Sequence, residues 1–165
     1  AYGTVKGEKK RYSLIFLLSY SGKLENAQNI KVEINKRNFG SRYEVMQHLG
    51  ISMPVMIQED MLANKLVAMY ERLGKTNRDI YDVWFFLQNR WPVNKQIVEM
   101  RTGINYKAFL QTCIEALEKM SNHSILSGLG ELLTPQQKVW VKAKLLSETI
   151  FLLKLAYRNE QESGV

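Results

Sequence analysis

The sequence is poor in the residues that most directly define a function. Its 165 residues include one cysteine, Cys113, so no disulfide can form within the chain. The two histidines, His48 and His123, each lack a second His or Cys at ligand spacing, which gives no support to a zinc site. No apolar run approaches the roughly 20 residues that a membrane-spanning helix needs, and no signal peptide is visible. We therefore expect a cytoplasmic protein without a membrane partner.

Aspartate is scarce as well. The only aspartates are Asp60, Asp79 and Asp82, and none stands two residues from another acid. The sequence therefore lacks a D-x-D pair of the kind that holds a divalent metal. Lysine and arginine total 23 against 16 acidic residues, and the resulting net charge of +7 favours an anionic partner such as RNA, DNA or nucleotide phosphates.

The N-terminal third predicts short strands. Residues 1–11 resemble a loose basic lead-in, whereas 12–20 are rich in strand formers and predict a buried strand, closed by a turn at 21–23. Residues 30–35 alternate strictly, which predicts a strand with Ile30, Val32 and Ile34 packed inward. Two further short strands are expected at 43–49 and 54–57, with Gly50 as a turn.

The rest of the sequence has helical patterns. The full sequence therefore predicts an α+β chain, with a small, incomplete antiparallel or mixed sheet followed by a helical bundle. We divide it into a sheet region, 1–57, and a bundle region, 58–165. Loop residues are expected at 122–130, and Pro92 suits the first turn of a helix. Helices are predicted at 58–73, from Asn77, at 93–101, at 106–120, and from Pro135 to about 157, the last central to the bundle.

Core positions are predicted for two residue types that could otherwise have carried function. Cys113 lies within a helical apolar pattern, which is typical of a small core residue. The tryptophans are not interleaved with glycine and basic residues as in single-strand binders. We therefore expect Trp84, Trp91 and Trp140 to belong to the core.

The stretch from Gln58 to Leu87 carries an ordered set of charges. Lys65 and Arg72, seven apart, project from one stripe of the first helix. After the break at Gly74, Asn77 is a plausible N-cap, and Asp79 and Asp82 share one side of the next helix. Two carboxylates should then face two cations across a helical hairpin. This set could form an active site, or an Arg72–Asp82 ion pair could simply join the two helices.

The strand at 30–35 presents an acid between polar groups. Glu33 stands on the polar face with Lys31 and Asn35. A strand can offer such a carboxylate to a metal or phosphate, and Glu33 could equally be a solvent-facing residue paired with Lys31 across a sheet.

The order of these motifs resembles the AbiEii/AbiGii nucleotidyltransferase toxin family, a branch of the polymerase-beta-like nucleotidyltransferases. The resemblance runs from about Arg11 to Leu87. A family strand motif K-x-D/E-x-K corresponds to Lys31, Glu33 and Asn35, with Asn35 in place of the second lysine and Lys36 beside it. The family's A-x-K-x-x-A, Arg and R-D-x-x-D motifs correspond to Ala63, Lys65, Ala68, Arg72, Arg78, Asp79 and Asp82.

The resemblance implies transfer of a nucleoside monophosphate from an NTP to an acceptor, such as tRNA, by a bacterial toxin with a cognate antitoxin. It implies catalytic roles for Glu33, Lys65 and Asp82, and Mg²⁺ held through Glu33 in the intact parent protein. Nucleotide or phosphate binding would fall to Lys31, Arg72, Arg78 and Asp79.

Family members carry a Gly-rich turn and a D-x-D strand upstream, and this sequence has neither. Two explanations fit: a truncated chain, or a degenerate paralogue that kept the helical half and lost catalysis. We favour the first, and expect the chain to be the C-terminal portion of such a toxin, inactive by itself. The alternative is a non-catalytic basic helical module that binds RNA or a cognate antitoxin.

Overall fold

The structure is a computed structural model that describes residues 3–19 and 29–162. The chain forms two compact units, Ala1–Phe39 and Gly40–Val165. Among the described residues, no helix is both long and apolar enough to cross a membrane. The architecture is α+β, as predicted. The functional division at residue 57 stays a prediction.

The first unit contains a three-stranded antiparallel sheet in the order β1 (Gly3–Lys9), β2 (Ser13–Ser19), β3 (Asn29–Asn35). The central strand pairs on both sides, with Phe16 opposite Gly7 and Val32. The predicted strands at 12–20 and 30–35 are therefore confirmed. The loose lead-in at 1–11 is wrong, because hydrogen bonds to β2 make a strand of a segment with weak intrinsic preference. The turn predicted at 21–23 lies outside the described residues.

The sheet of the first unit is a single layer. The described part of this unit holds no helix that could cover a face. Ile30, Val32 and Ile34 are consequently exposed, and the expectation that they pack inward is wrong. Residues 14–18 of β2 are half-buried rather than buried, which corrects the expectation of a buried strand.

The second unit begins with a β-hairpin of β4 (Tyr43–His48) and β5 (Ile51–Met56), and β5 is longer than predicted. The two-residue turn between them has positive φ at Leu49 (50°) and Gly50 (78°). Positive φ at both central residues defines the type I′ turn, whose twist matches that of antiparallel strands. The expected turn at Gly50 is thus confirmed.

Helices form the rest of the second unit. Their bounds are α1 (Gln58–Glu71), α2 (Arg78–Gln88), α3 (Lys95–Thr102), α4 (Tyr106–Glu118), α5 (Pro135–Trp140) and α6 (Leu146–Glu162). A π-helical segment, Val141–Leu145, joins the last two, so the predicted long final helix is confirmed. Pro92 precedes α3 instead of starting it, because Asn94 caps that helix by accepting from the amide of Ile97. The predicted loop at 122–130 holds one 3₁₀ turn, Asn122–Ser124.

The core lies between the helices, with fully buried side chains that include Leu62, Leu66, Phe109, Leu110, Leu117, Leu145 and Leu153. Cys113 is fully buried among them, as predicted, and burial raises the pKa of its thiol to about 12. Such a thiol is protonated and inert at neutral pH. The last helix is less central than expected, because Phe151 and Leu155 on α6 are exposed.

The tryptophans differ from one another. Trp84 and Trp140 pack against the core with ring centroids 4.4 Å apart, which confirms the prediction for these two. The indole of Trp84 donates to Glu148 Oε2 at 3.1 Å. Trp91 is half-buried at a surface cleft, so it does not pack against the core as Trp84 and Trp140 do.

A buried carboxylate connects the hairpin to the helices. Asp60, in the first turn of α1, is fully buried. It accepts hydrogen bonds from the Arg42 amide (2.7 Å), the Arg42 guanidinium (2.9 and 3.2 Å) and the Asn94 side chain (2.7 Å). The hydrogen bonds from Arg42 hold the pKa of Asp60 near 2, below its ordinary 3.8, against the opposing effect of burial. One side chain thus fixes the segment before β4, the start of α1 and the start of α3.

Replacing this carboxylate should destabilise the second unit. Asp60→Asn retains the shape but removes the charge that Arg42 and Asn94 bind, so we expect a loss of about 1–3 kcal/mol in the free energy of unfolding at pH 7. Because the folded-state pKa is depressed, the stabilisation is present above pH 4 and is lost as the pH falls toward 2. Urea unfolding of both proteins between pH 2 and 7 measures this, and the prediction is contradicted if their difference does not shrink toward pH 2.

Candidate active site

The site is built on the hairpin between α1 and α2. Gly74 adopts a positive φ of 79°, which a glycine accommodates without strain, and the chain reverses there. Asn77 occupies the N-cap position of α2 as predicted, yet its side chain makes no capping bond. It is buried, and its amide nitrogen donates to the carbonyl of Ser124 at 2.6 Å. The start of α2 is therefore fixed by the loop before α5.

Four side chains of the hairpin form a charge cluster: Lys65, Arg72, Asp79 and Asp82. The Lys65 ammonium lies 3.0 Å from Asp79 Oδ1 and 2.5 Å from Asp82 Oδ2. The guanidinium of Arg72 lies 3.2 Å from Asp79 Oδ2. The structure thus brings these four predicted residues together. The specific Arg72–Asp82 pair was wrong, because Arg72 reaches Asp79 and Lys65 is the residue that bridges both acids.

Burial within the cluster is uneven. The Asp79 side chain is 4% exposed and that of Asp82 25%, whereas Lys65 exposes 32% and Arg72 57%. Burial lowers the pKa of Lys65, but the hydrogen bonds that its ammonium donates to Asp82 and Asp79 outweigh this effect, and the net pKa is raised. Lys65 is therefore a permanent cation at neutral pH. An ammonium has three donors and these acids take two of them, so the exposed part of Lys65 can still meet an anion.

The other predicted site residues are Arg78 on α2 and residues of β3. Arg78 is exposed at the first residue of α2. In the first unit, Lys31 and Glu33 form an ion pair at 2.7 Å along β3, with both side chains about half exposed. The pairing of Glu33 with Lys31 is therefore present, although within one strand rather than across the sheet. Asn35 accepts from the amide of Arg37 at 3.0 Å. That Glu33 joins Lys65 in one site stays a prediction.

The described residues do not fit a magnesium ion by themselves. Magnesium is held by one or two carboxylates together with substrate phosphates. Asp79 and Asp82 already form ion pairs with Lys65 and Arg72, and Glu33 forms one with Lys31. The described part of the chain has no group of three or more His, Cys, Asp or Glu side chains that could hold a metal. No step through a metal is derived for this chain.

Sequence reasoning missed the residues that hold the Lys65 region of α1. Asn64 donates to Ser41 Oγ (2.9 Å) and to the carbonyl of Asp60 (2.8 Å). Arg101, whose side chain is 7% exposed, donates to Asn64 Oδ1 at 2.9 Å and contacts Glu71. Only the position of Asn64 inside the A-x-K motif could have drawn attention to it. Arg101 gave no periodic signal, since its partners are distant in sequence.

The fold is similar to that of a known structure. The chain is similar to a provisionally assigned nucleotidyltransferase from H. pylori, with a TM-score of 0.58 and 16% identity, over 98% of this chain and 67% of that one. At this identity the likeness shows the fold alone. Comparison with curated proteins finds no match.

The family follows from the sequence of residues 3–144, which matches the family described as nucleotidyl transferase AbiEii toxin, type IV toxin–antitoxin system. The chain belongs to this AbiEii nucleotidyltransferase toxin family, and the resemblance noted from its motifs is confirmed. Membership indicates a nucleotidyltransferase with a nucleotide substrate, and a type IV system implies an antitoxin partner.

The Lys65–Asp79 contact should be energetically significant. Asp79 is nearly enclosed, so a double-mutant cycle of Lys65→Met and Asp79→Asn should give a coupling of about 1–2 kcal/mol in urea unfolding. The exposed Lys154–Glu118 pair, 2.6 Å apart, serves as the control and should give at most about 0.5 kcal/mol. Equal couplings for the two pairs would contradict the assignment of Lys65 as a buried bridge.

Proposed function

We propose that this chain provides Lys65 and its two acidic partners to an active site. That site transfers a nucleoside monophosphate from an NTP to an acceptor such as tRNA. In that reaction an acceptor hydroxyl attacks the α-phosphorus and pyrophosphate leaves. The supporting observation is that Lys65 on α1 is bridged by Asp79 and Asp82 on α2 while part of it remains exposed. The family supports transfer chemistry, and the acceptor is our proposal.

Each residue has a distinct proposed task. Lys65 acts as a compact point charge that neutralises triphosphate oxygens, the main work of a phosphoryl-transfer site. Asp79 and Asp82 hold its ammonium in one position, so that little reorganisation is needed when the nucleotide binds. Asp82 is the better placed of the two to take part directly, because it is more exposed than Asp79.

Three further residues are assigned to binding and one to acceptor activation. Arg72 and Arg78 are exposed, and the planar guanidinium of each suits bidentate contact with phosphate. Lys31 on β3 adds a cation in the first unit. Glu33 is proposed to face the metal or to activate the acceptor hydroxyl, with release from Lys31 as a requirement.

Metal chemistry is proposed for a protein in which this chain is accompanied by a D-x-D pair. There Mg²⁺ would neutralise phosphate charge, and Glu33 would be one of its ligands beside a D-x-D pair that this sequence lacks. We therefore propose that residues 1–165 alone give no magnesium-dependent labelling of RNA by NTP. Robust transfer by this chain would overturn the claim that essential carboxylates are missing.

A second candidate function is a basic helical module that binds RNA or the cognate antitoxin without catalysis. It is favoured by the balance of the cluster, since two carboxylates offset the two cations Lys65 and Arg72. In that case the cluster only joins α1 to α2. The net charge of +7 would supply the attraction for an anionic partner.

Substitution of Lys65 separates the two functions. In a transfer-active protein that contains this chain and a D-x-D pair, Lys65→Met should reduce NTP-dependent labelling of acceptor RNA by about 100-fold or more, because a preorganised charge at the phosphates is lost. Lys75→Met is the matched control, since Lys75 is exposed in the turn after α1, and it should retain activity. Circular dichroism and thermal unfolding verify the fold of each variant.

A charge-matched variant tests whether Lys65 is only a helix-joining residue. Lys65→Met combined with Asp82→Asn removes one charge of each sign, so the cluster stays balanced and the fold should recover stability relative to Lys65→Met. Transfer should not recover. If the double variant regains activity together with stability, Lys65 serves only to stabilise the fold. The non-catalytic binding module then becomes the favoured function.

A further inference from the structure

A cleft lies at the end of α2 opposite the Lys65 cluster. A cleft of about 510 Å³ opens between the turn after α2, the start of α4 and the last turns of α6, with walls that include Leu87, Trp91, Tyr106 and Leu155. This volume falls in the range of small-molecule sites, which are mostly apolar with a few placed polar groups. Leu87 lies eight positions after Asp79 on α2, about 12 Å along the axis, so the cleft is distinct from the Lys65 cluster.

The cleft has an unpartnered hydroxyl in its wall. Tyr106 is 5% exposed, and its hydroxyl makes no hydrogen bond to another described residue. It is not among the fully enclosed unpartnered atoms of the described residues, so it reaches the cleft. Burial, assisted by the negative charge of Glu160, raises the pKa of Tyr106 above its ordinary value, which keeps the hydroxyl a donor. An occupant that expelled water without offering an acceptor would leave this donor unsatisfied.

The cleft also has an aromatic wall. Trp91 is stacked on Phe86 with centroids 4.2 Å apart and planes at 9°, so one face of its indole is covered. Trp91 also lines the cleft, whereas Phe86 is not among the lining residues. The turn that places it is strained: Arg90 adopts φ 57°, its amide bonds to Leu87, and the amide of Trp91 bonds to Phe86. This is a Schellman turn with arginine where glycine is preferred. A planar ring entering the cleft would extend an existing stack.

Charges line the rim of the cleft. Arg90 is exposed there, and Lys95 lies 2.7 Å from Glu160 and 5.8 Å above the Tyr106 ring. Glu160 offsets Lys95, so Arg90 is the cation best able to meet an anion. A flat ring with an acceptor, attached to a phosphate, matches the aromatic wall, the Tyr106 donor and this cation together.

We propose that the cleft binds a nucleobase, stacked on Trp91 and accepting from the Tyr106 hydroxyl, with its phosphate near Arg90. The base could belong to a mononucleotide or to a single RNA strand. Stacking on aromatic side chains beside basic residues is the general means of binding unpaired bases. The proposal does not depend on the transfer reaction, since none of the Lys65 cluster lines the cleft.

The test uses the full 165-residue chain and tryptophan fluorescence, with uridine 5′-monophosphate, octauridylate and an abasic strand of the same length as probes. The base-bearing probes should quench fluorescence and the abasic strand should not. Trp91→Phe should remove most of the quenching signal while keeping an aromatic wall. Octauridylate binding at least tenfold tighter than the monophosphate identifies a strand as the source; otherwise the source is a mononucleotide.

Tyr106→Phe is the decisive variant, because it removes only the hydroxyl. It should weaken binding about three- to tenfold, the loss expected for one hydrogen bond, without lowering Tm. Tyr157→Phe, a half-buried tyrosine of α6 outside the cleft, should bind as the unchanged protein does. Arg90→Gly should raise Tm by relieving the positive φ and still weaken binding.

Several outcomes would overturn the proposal. Equal binding by Tyr106→Phe and the unchanged protein would remove the hydroxyl from the site. Equal binding of the abasic strand would leave only charge attraction, and no binding of any probe would leave the cleft to a protein partner. Lys65→Met should not alter binding at the cleft, so failure here and failure of the transfer proposal are distinguishable.

Discussion

The bridge from Lys65 to Asp79 and Asp82 is the interaction on which the functional interpretation depends. It joins two helices that the chain connects by a short turn, and it sets a cation between acids of unequal burial. Asp79 is nearly enclosed, and its contacts with Lys65 and Arg72 offset the cost of burying a carboxylate. Asp82 is more exposed and has more freedom to exchange partners. The same contacts therefore stabilise the hairpin and hold Lys65 in one position.

The bridge has support from residues outside the hairpin. Asp60, buried at the start of α1, is held by Arg42 and Asn94. Asn64, one residue before Lys65, is bound by the buried Arg101 of α3. These hydrogen bonds fix α1 against the β4–β5 hairpin and α3. A site held this way loses little entropy when it binds a ligand, which is the advantage of polar groups on rigid helices.

The two ends of α2 have different chemistry. Its first two turns carry the acids of the charge cluster, whereas its end leads through a strained turn to the stacked Trp91. In our proposals, the charge cluster at one end of α2 neutralises phosphates and the aromatic cleft at the other end binds a base. The family assignment gives nucleotide chemistry as the common theme.

Local pattern was sufficient for much of this protein. Period-2 alternation located β3, and helical spacing located α1, α2 and α4, because these signals arise from neighbours in the chain. The same spacing placed Lys65 and Arg72 on one stripe, facing Asp79. It could not distinguish which cation met which acid, since that choice depends on side-chain reach between packed helices. It also missed β1, whose pairing is supplied by β2.

The sequence by itself therefore determined the α+β class, the main helices, the burial of Cys113 and the family motifs. Only the tertiary structure decided that Lys65 bridges both aspartates, that Asp60 is a buried anchor, and that Tyr106 lines a cleft with Trp91. Helix and strand periods are local properties of a chain. Buried hydrogen bonds and clefts depend on residues dozens of positions apart, and no local period records which of them meet.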